Sequence, residues 1–343
     1  MYPFTSRLET CQNDQAAPLQ RRPRISQEAR MGSSNRHVLV AGAGAMGCLF
    51  GGLLAERGLP VTLLARRPDH VAAIRRDGLL IRGEGGDRSV KIAAATEIGE
   101  IAPANIVLVQ CKADATRAVA TRIKPLLARG CMVTSFQNGL GNEELLASII
   151  GDDVVIGGLT SLGATLEGPG IVRSYATLPT VIGEMAGGLS QRVSDLAALL
   201  TAHGLPTQAS DNIKRDKWRK LLLNVALSAT SGLTGLTIGE VVAHPELAQI
   251  ARRAMEEAAA VAEACGVLLP EASRYAVFEG IVTSGAARNK TSMRRDIEAE
   301  RPSEVDAIYG SVIALGHKHG VATPTLEALA ALVRGIEAHY PAA

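Results

Sequence analysis

His37–Gly58, HVLVAGAGAMGCLFGGLLAERG, reads as strand, tight turn and helix. His37–Ala41 is a short β-branched and aliphatic run, and Gly42, Gly44 and Gly47 follow with G-x-G-x-x-G spacing. Met46, Leu49, Phe50, Leu53 and Leu54 then recur at helical spacing, and Gly58 stops the helix. Each glycine has a physical task. Gly42 lets the strand turn sharply, Gly44 lets a pyrophosphate approach the backbone, and Gly47 lets the helix pack closely on the strand. The helix N-terminus offers free N–H groups and the positive end of a dipole to phosphate. The competing reading is a glycine-rich βα turn with no ligand; a bare match of the motif is weak, and its place between a strand and an amphipathic helix is what favours a ligand.

The rest of the composition narrows the class. A chain of 343 residues with 47% hydrophobic residues has room for about two domains with sizeable cores. Lys+Arg 36 against Asp+Glu 34 leaves a net charge of +2, which gives no attraction to nucleic acid or an anionic membrane. Aromatics at 3% leave few platforms for stacking bases. The five cysteines, Cys11, Cys48, Cys111, Cys131 and Cys265, show no paired spacing, which fits a reducing cytoplasmic setting. No apolar run approaches the length of a membrane span. Residues 1–35 are polar, arginine-rich and without periodicity, and are expected to be a disordered leader; translation starting at Met31 is the alternative.

Leu59–Ala65 is a second apolar strand, ending in Arg66-Arg67. An NAD site places an acid here, roughly 20 residues beyond the glycines, to hold the ribose 2′-hydroxyl. Guanidinium suits a 2′-phosphate instead, so NADPH is favoured over NADH. Leu79–Val90 looks like a hairpin. Ile106–Gln110 and Met132–Phe136 are buried parallel-type strands, closed by Cys111-Lys112 and by Gln137-Asn138-Gly139. Ligands of such sheets lie beyond the carboxyl ends of the strands, where Lys112 and Asn138 sit. Val154–Ile182 reads as antiparallel strands extending the same sheet. The expected fold is α/β: a doubly wound Rossmann-type sheet over residues 36–210, then an all-α domain over 211–343. Asp211 is the expected N-cap of the first helix of that second half, running to about Ala229. Ser303 and Thr323 are expected to cap later helices. Arg252–Glu256 and Arg253–Glu257 are expected i,i+4 pairs.

In that first helix Lys220, Asn224 and Ser228 stand four apart, hence on one face, among apolar neighbours. A partly desolvated Lys has a lowered pKa and can release a proton to a carbonyl oxygen during reduction. The opposing reading makes Lys220 the last residue of a solvated charged run beginning at Lys214. Farther on come Asn289, Ser292-Met293, Asp296 and Glu304, small polar and acidic groups around a loop and a helix start.

Taken together these residues resemble the ketopantoate reductases (2-dehydropantoate 2-reductases). The likeness runs from about Arg36 to Ala338 and rests on Gly42/Gly44/Gly47, Gln137-Asn138-Gly139, Lys220/Asn224, Ser292-Met293/Asp296 and Glu304, in that order. It implies NADPH-dependent reduction of a small 2-oxo acid in a cleft between the two domains, without a metal. By the resemblance Lys220 is the general acid, and Glu304 orients it and touches cofactor. Asn138 binds near the nicotinamide and the substrate. Asn224, Ser228, Asn289 and Ser292 face the substrate, while Gly42, Gly44, Ala45, Met46, Gly47, Arg66 and Lys112 hold the cofactor. Ser228 and Ile238 stand where the family pattern has Asn, both on the substrate side. A shorter, more apolar pocket would suit another 2-oxo acid. Ketopantoate reduction in pantothenate synthesis is the leading expectation; a related 2-oxo acid reductase, or a non-catalytic NADP-binding sensor, are the alternatives. The helical half offers a surface for a homodimer, which no residue in the sequence fixes.

Overall fold

Residues 36–83, 86–176, 179–280 and 285–341 are described by the computed structural model, so the leader expected over 1–35 lies outside the described residues. The N-terminal part runs β1 (Val38–Ala41), α1 (Ala45–Glu56), β2 (Val61–Leu64), α2 (Pro68–Asp77), β3 (Leu79–Arg82), β4 (Arg88–Val90), β5 (Ala93–Ala95) and β6 (Ala104–Val109). It continues through α3 (Thr116–Ile123), β7 (Leu127–Ser135), α4 (Asn142–Ile150), β8 (Val155–Leu159), β9 (Gly163–Gly168), β10 (Ile171–Ala176), β11 (Thr180–Gly183), α5 (Gln191–Ala202) and β12 (Thr207–Ser210).

The eight-stranded sheet has the order β12-β11-β8-β7-β6-β1-β2-β5. Six strands are parallel; β11 runs antiparallel to β8 and carries β12 beside it. β1 is buried throughout because helices cover both faces. Val38 and Val40 join the core with Phe50 and Leu54 of α1, while Leu39 and Ala41 join the opposite core with Ala120 and Ile123 of α3.

A second sheet, β4-β3-β10-β9, corrects the expected continuation of one sheet through Val154–Ile182. β8 and β11 do join the main sheet. β9 and β10 leave it, and β10 pairs in parallel with β3 of the β3–β4 hairpin. Alternating strand residues announce a half-buried strand but not which layer covers it. Here the layer is α1, wedged between the sheets. A Cβ at Gly51 would meet Leu63 of the main sheet at 2.5 Å, and one at Gly52 would meet Ile81 of the small sheet at 2.6 Å.

From residue 213 onward the described chain is helical: α6 (Ile213–Thr234), α7 (Ile238–Ala243), α8 (Pro245–Ala264), α9 (Glu271–Gly280), α10 (Ser292–Glu298), α11 (Ser311–His319) and α12 (Pro324–Glu337). Buried Leu221, Leu222, Val225, Met255, Val261, Leu326 and Val333 form its core. The cap of α6 is Asn212, not Asp211: the Asn212 side chain accepts Arg215 N–H at 3.0 Å, while Asp211 pairs with the Arg215 guanidinium. α6 also continues past Ala229 to Thr234. The expected i,i+4 pairs on α8 are absent among the described residues, because tertiary partners take those side chains. Arg252 reaches Glu279 and Glu256 takes Arg274, each over 3.2–3.3 Å. Glu257 accepts the N–H groups of Thr325 and Leu326 at 2.9 Å, doing for α12 what Thr323 was expected to do. Ser303 is not the cap either: the following turn starts at Asp306 with Val305 at the cap position, and Ser303 accepts only the Val305 N–H, at 3.2 Å. No helix among the described residues is long and apolar enough to cross a membrane.

α2 is pinned to the small sheet by His70, whose Nδ1 accepts Gly170 N–H at 3.0 Å. That places the ring proton on Nε2, facing the Cys48 sulfur 3.3 Å away. Burial first, then Arg67, lower the pKa of His70 against the opposing pull of Asp69. A folded-state pKa below the unfolded value means that the unfolded chain binds the proton first on acidification. Stability should therefore be full above about pH 6.5 and decline below it. Denaturant midpoints measured against pH should show this decline in the wild type and a flatter profile in His70→Gln, which keeps an acceptor but cannot titrate.

Candidate active site

The glycine turn sits at the carboxyl end of β1. Gly42 has φ +112°, and a Cβ there would lie 2.5 Å from the Cys111 nitrogen, so the end of β6 can approach only a glycine. A Cβ at Gly47 would collide with the Gly42 carbonyl. Gly44 is exposed with open space where its side chain would be, and no side chain caps α1. An uncapped helix N-terminus with an open approach fits a diphosphate. Ala45 and Met46 begin α1 beside it, both half-buried. At the end of β2 the two arginines divide. Arg67 is held by Asp69, whereas Arg66 is exposed and makes no ion pair among the described residues. Lys112, at the end of β6, reaches across to the helical half, with Nζ 3.0 Å from Asp296 Oδ2 and 2.6 Å from the Pro302 carbonyl. Arg295 of the same α10 lies over the Tyr175 ring at 4.7 Å and donates to Thr165. α10 is thereby fastened to the N-terminal half.

The deeper part of the site is built on the turn after β7. Gln137 fixes that turn by donating to the Cys111 carbonyl at 3.0 Å and to Thr116 Oγ1 at 2.7 Å, and Asn142 donates to the Asn138 carbonyl at 2.9 Å. Gly139 has φ +81° and lies directly under the Ala307 carbonyl, where any Cβ would collide. The Asn138 side chain is thus held between the halves. It accepts from Lys220 Nζ at 3.0 Å and donates to Glu304 Oε2 at 2.8 Å. This chain of hydrogen bonds joins three residues that are far apart in sequence. Burial pulls the Lys220 ammonium down to about 8; Glu304 opposes the shift and Lys217 adds to it. Asn224, one turn along α6, is half-buried, and its amide makes no hydrogen bond among the described residues. A small pocket lies here, lined by Asn138, Gly139, Leu159, Lys217, Lys220 and Asn224.

The remaining residues singled out in the sequence lie outside that lining. Ser228 is buried one turn farther along α6. Asn289 is exposed, and its carbonyl accepts Ile238 N–H at 3.0 Å. Ser292 is exposed at the start of α10, which Thr291 caps. Lys217 and Glu143 went unnoticed in the sequence. They form an ion pair with side-chain exposures of 5% and 1%, joining α6 to the first turn of α4. Lys217 was hidden in a run of charges that reads as solvated. Its phase could have exposed it, because it stands four residues from Ile213 and three from Lys220, on the inward side.

Removing one member of a buried pair strands the other's charge, at a cost of about 3–5 kcal/mol. Lys217→Met should lower unfolding free energy by that order, and Lys217→Met combined with Glu143→Leu should recover most of it. A double-mutant cycle by denaturant unfolding measures both; additive losses would contradict the pairing.

Relatives share this arrangement of two halves. Residues 38–187 match the family described as ketopantoate reductase PanE/ApbA, and residues 212–337 match ketopantoate reductase PanE/ApbA C terminal. A 2-dehydropantoate 2-reductase of Halobacterium salinarum is 35% identical over 298 residues, covering 87% of this chain and 97% of that protein. One from Mesorhizobium japonicum is 31% identical over 318 residues, covering 87% and 96%. The crystal structure of a PanE/ApbA family ketopantoate reductase from Ralstonia eutropha JMP134 superposes with a TM-score of 0.81 at 34% identity, over 88% of this chain and 98% of that one. The ternary structure of D-mandelate dehydrogenase with NADH and anilino(oxo)acetate gives 0.84 at 26% identity, over 88% and 98%. The chain belongs to the ketopantoate reductase family and is an oxidoreductase of that kind.

Proposed function

We propose that this protein reduces ketopantoate to pantoate with NADPH, as a step of pantothenate synthesis, and that Lys220 is the proton donor. The observation that carries this reading is the hydrogen-bonded chain Lys220–Asn138–Glu304, which brings a desolvated ammonium to a pocket between the halves. When bound, the dihydronicotinamide supplies a hydride to the carbonyl carbon. Negative charge then builds on the carbonyl oxygen, and Lys220 Nζ transfers its proton there. Asn138 Oδ1 points the ammonium. Glu304 fixes which end of the amide faces the lysine by accepting from Nδ2, and its charge helps keep the amine protonated against burial. The free amide of Asn224, with Ser228, Asn289 and Ser292, would hold the carboxylate and side chain of the substrate.

On the cofactor side, the backbone from Gly42 to Gly47 would cradle the diphosphate and Lys112 would line the groove. The choice of NADPH rests on Arg66, without an ion pair among the described residues and at the end of β2. Cofactor binding is assigned to residues 36–210 and substrate binding to 211–343. A second reading, reduction of a different 2-oxo acid, is favoured by Ser228 and Ile238 and by the likeness to D-mandelate dehydrogenase. NADPH oxidation with ketopantoate, branched 2-oxo acids and aryl 2-oxo acids separates the two: ketopantoate with the highest kcat/KM supports the first, another acid the second. No turnover with any acid removes both.

Two variants test the assignments. Lys220→Ala should lower kcat by a factor of about 10² or more while NADPH binding stays near wild type. Because the donor must be protonated, wild-type kcat/KM for reduction should fall as pH rises through about 8, and this limb should vanish in the variant. Arg66→Ala should weaken NADPH by about tenfold or more and leave NADH nearly unchanged. Equal losses would refute the phosphate assignment.

A further inference from the structure

Asp306–Gly310 form a π turn that feeds into α11. Such a turn gives up helical regularity and is often found at functional sites. Tyr309 in this turn is fully buried, and its hydroxyl reaches α6. The oxygen accepts Ala229 N–H at 2.9 Å and donates to the Val225 carbonyl at 2.7 Å. Those two backbone groups are four residues apart, so they are the donor and acceptor of one rung of the α6 ladder. A side chain inserted into the ladder bends a helix locally.

The rung, Val225 to Ala229, begins next to Asn224 and encloses Ser228, little more than a turn after Lys220. The other side of the same turn presents the Ala307 carbonyl to Gly139, next to Asn138, and the turn begins two residues after Glu304. One turn thus touches α6, the Asn138 turn and the Glu304 segment together. We propose that Tyr309 is a positioning residue for the reduction. Its hydroxyl, bonded to both groups of that rung, sets the local course of α6 and with it the approach of Lys220 and Asn224 to Asn138. The proposal rests on the reductase reading above. Tyr309 is no proton donor to substrate: burial pushes its hydroxyl well above the usual range, and its hydrogen bonds all go to backbone.

A positioning role and a packing role predict opposite results for Tyr309→Phe. If the hydroxyl only fills hydrogen bonds, removing it strands a buried N–H and a buried carbonyl, and stability drops. If it holds a rung open, the two groups re-pair, and the variant keeps or gains stability while the site loses alignment. The test measures thermal unfolding, amide exchange at Ala229, and kcat and KM for the best 2-oxo acid and NADPH, in wild type and Tyr309→Phe. The expected result is a melting temperature no lower than wild type, slower exchange at Ala229, KM for NADPH within about twofold, and kcat reduced about tenfold or more. A kcat within about twofold of wild type overturns the proposal, and so does a variant that melts earlier or does not fold. If the wild type turns over none of the acids, the reductase reading falls and takes this one with it. An active wild type beside an unaltered variant removes Tyr309 alone.

Discussion

A lysine ammonium taken partly out of water is costly unless its surroundings supply replacements for the lost hydration. Lys220 is in that position, and much of the structure around it can be understood as supplying them. Asn138 accepts one of its protons, Glu304 supplies opposite charge through the same amide, and Glu143 neutralises the second lysine, Lys217, one turn away. None of these partners lies on α6. The N-terminal half contributes Asn138 and Glu143, and the segment before α11 contributes Glu304. The hydrogen-bonded arrangement of Lys220 therefore exists only when the halves are docked.

Docking in turn depends on how closely backbone meets backbone. The Asn138–Gly139 turn is fixed from below by Gln137 and Asn142 and pressed from above by the Ala307 carbonyl. A residue with a side chain at Gly139 would lift the helical half away, lengthening the contact between Lys220 and Asn138. The same logic applies at Gly42, where the end of β6 leaves no room for a Cβ. Both glycines serve approach between segments as much as turning.

Most of this architecture was legible in the sequence. The glycine spacing after an aliphatic strand, and the strand–helix alternation, carried the parallel sheet, because local periodicity and local turn chemistry determine those features. Lys220, Asn224 and Ser228 declared a shared face through helical spacing alone. What escaped needed knowledge of partners. β9 and β10 look like any strands, and only the second face of α1, turned away from the main sheet, decides that they form another layer. Arg252 and Glu257, one from each of the expected pairs with Glu256 and Arg253, fit a helical pairing rule and then ignore it, since Glu279 and the start of α12 offer better partners. Lys217 reads as solvated until Glu143 is placed against it, and the reach of Tyr309 into a neighbouring helix leaves no trace in its own segment.

The wedging of α1 between two sheets has a mechanical consequence. With Leu63 on one side and Ile81 on the other, that helix cannot slide or tilt without disrupting both layers, so its first amides are a fixed reference point. Widening the cleft without disturbing those layers would have to move the helical half. Such a movement would part Lys112 from Asp296 and Arg295 from Tyr175, contacts that are polar and partly wet. Those rim contacts could part at little penalty, whereas the buried Lys217–Glu143 pair deeper in the same seam resists separation.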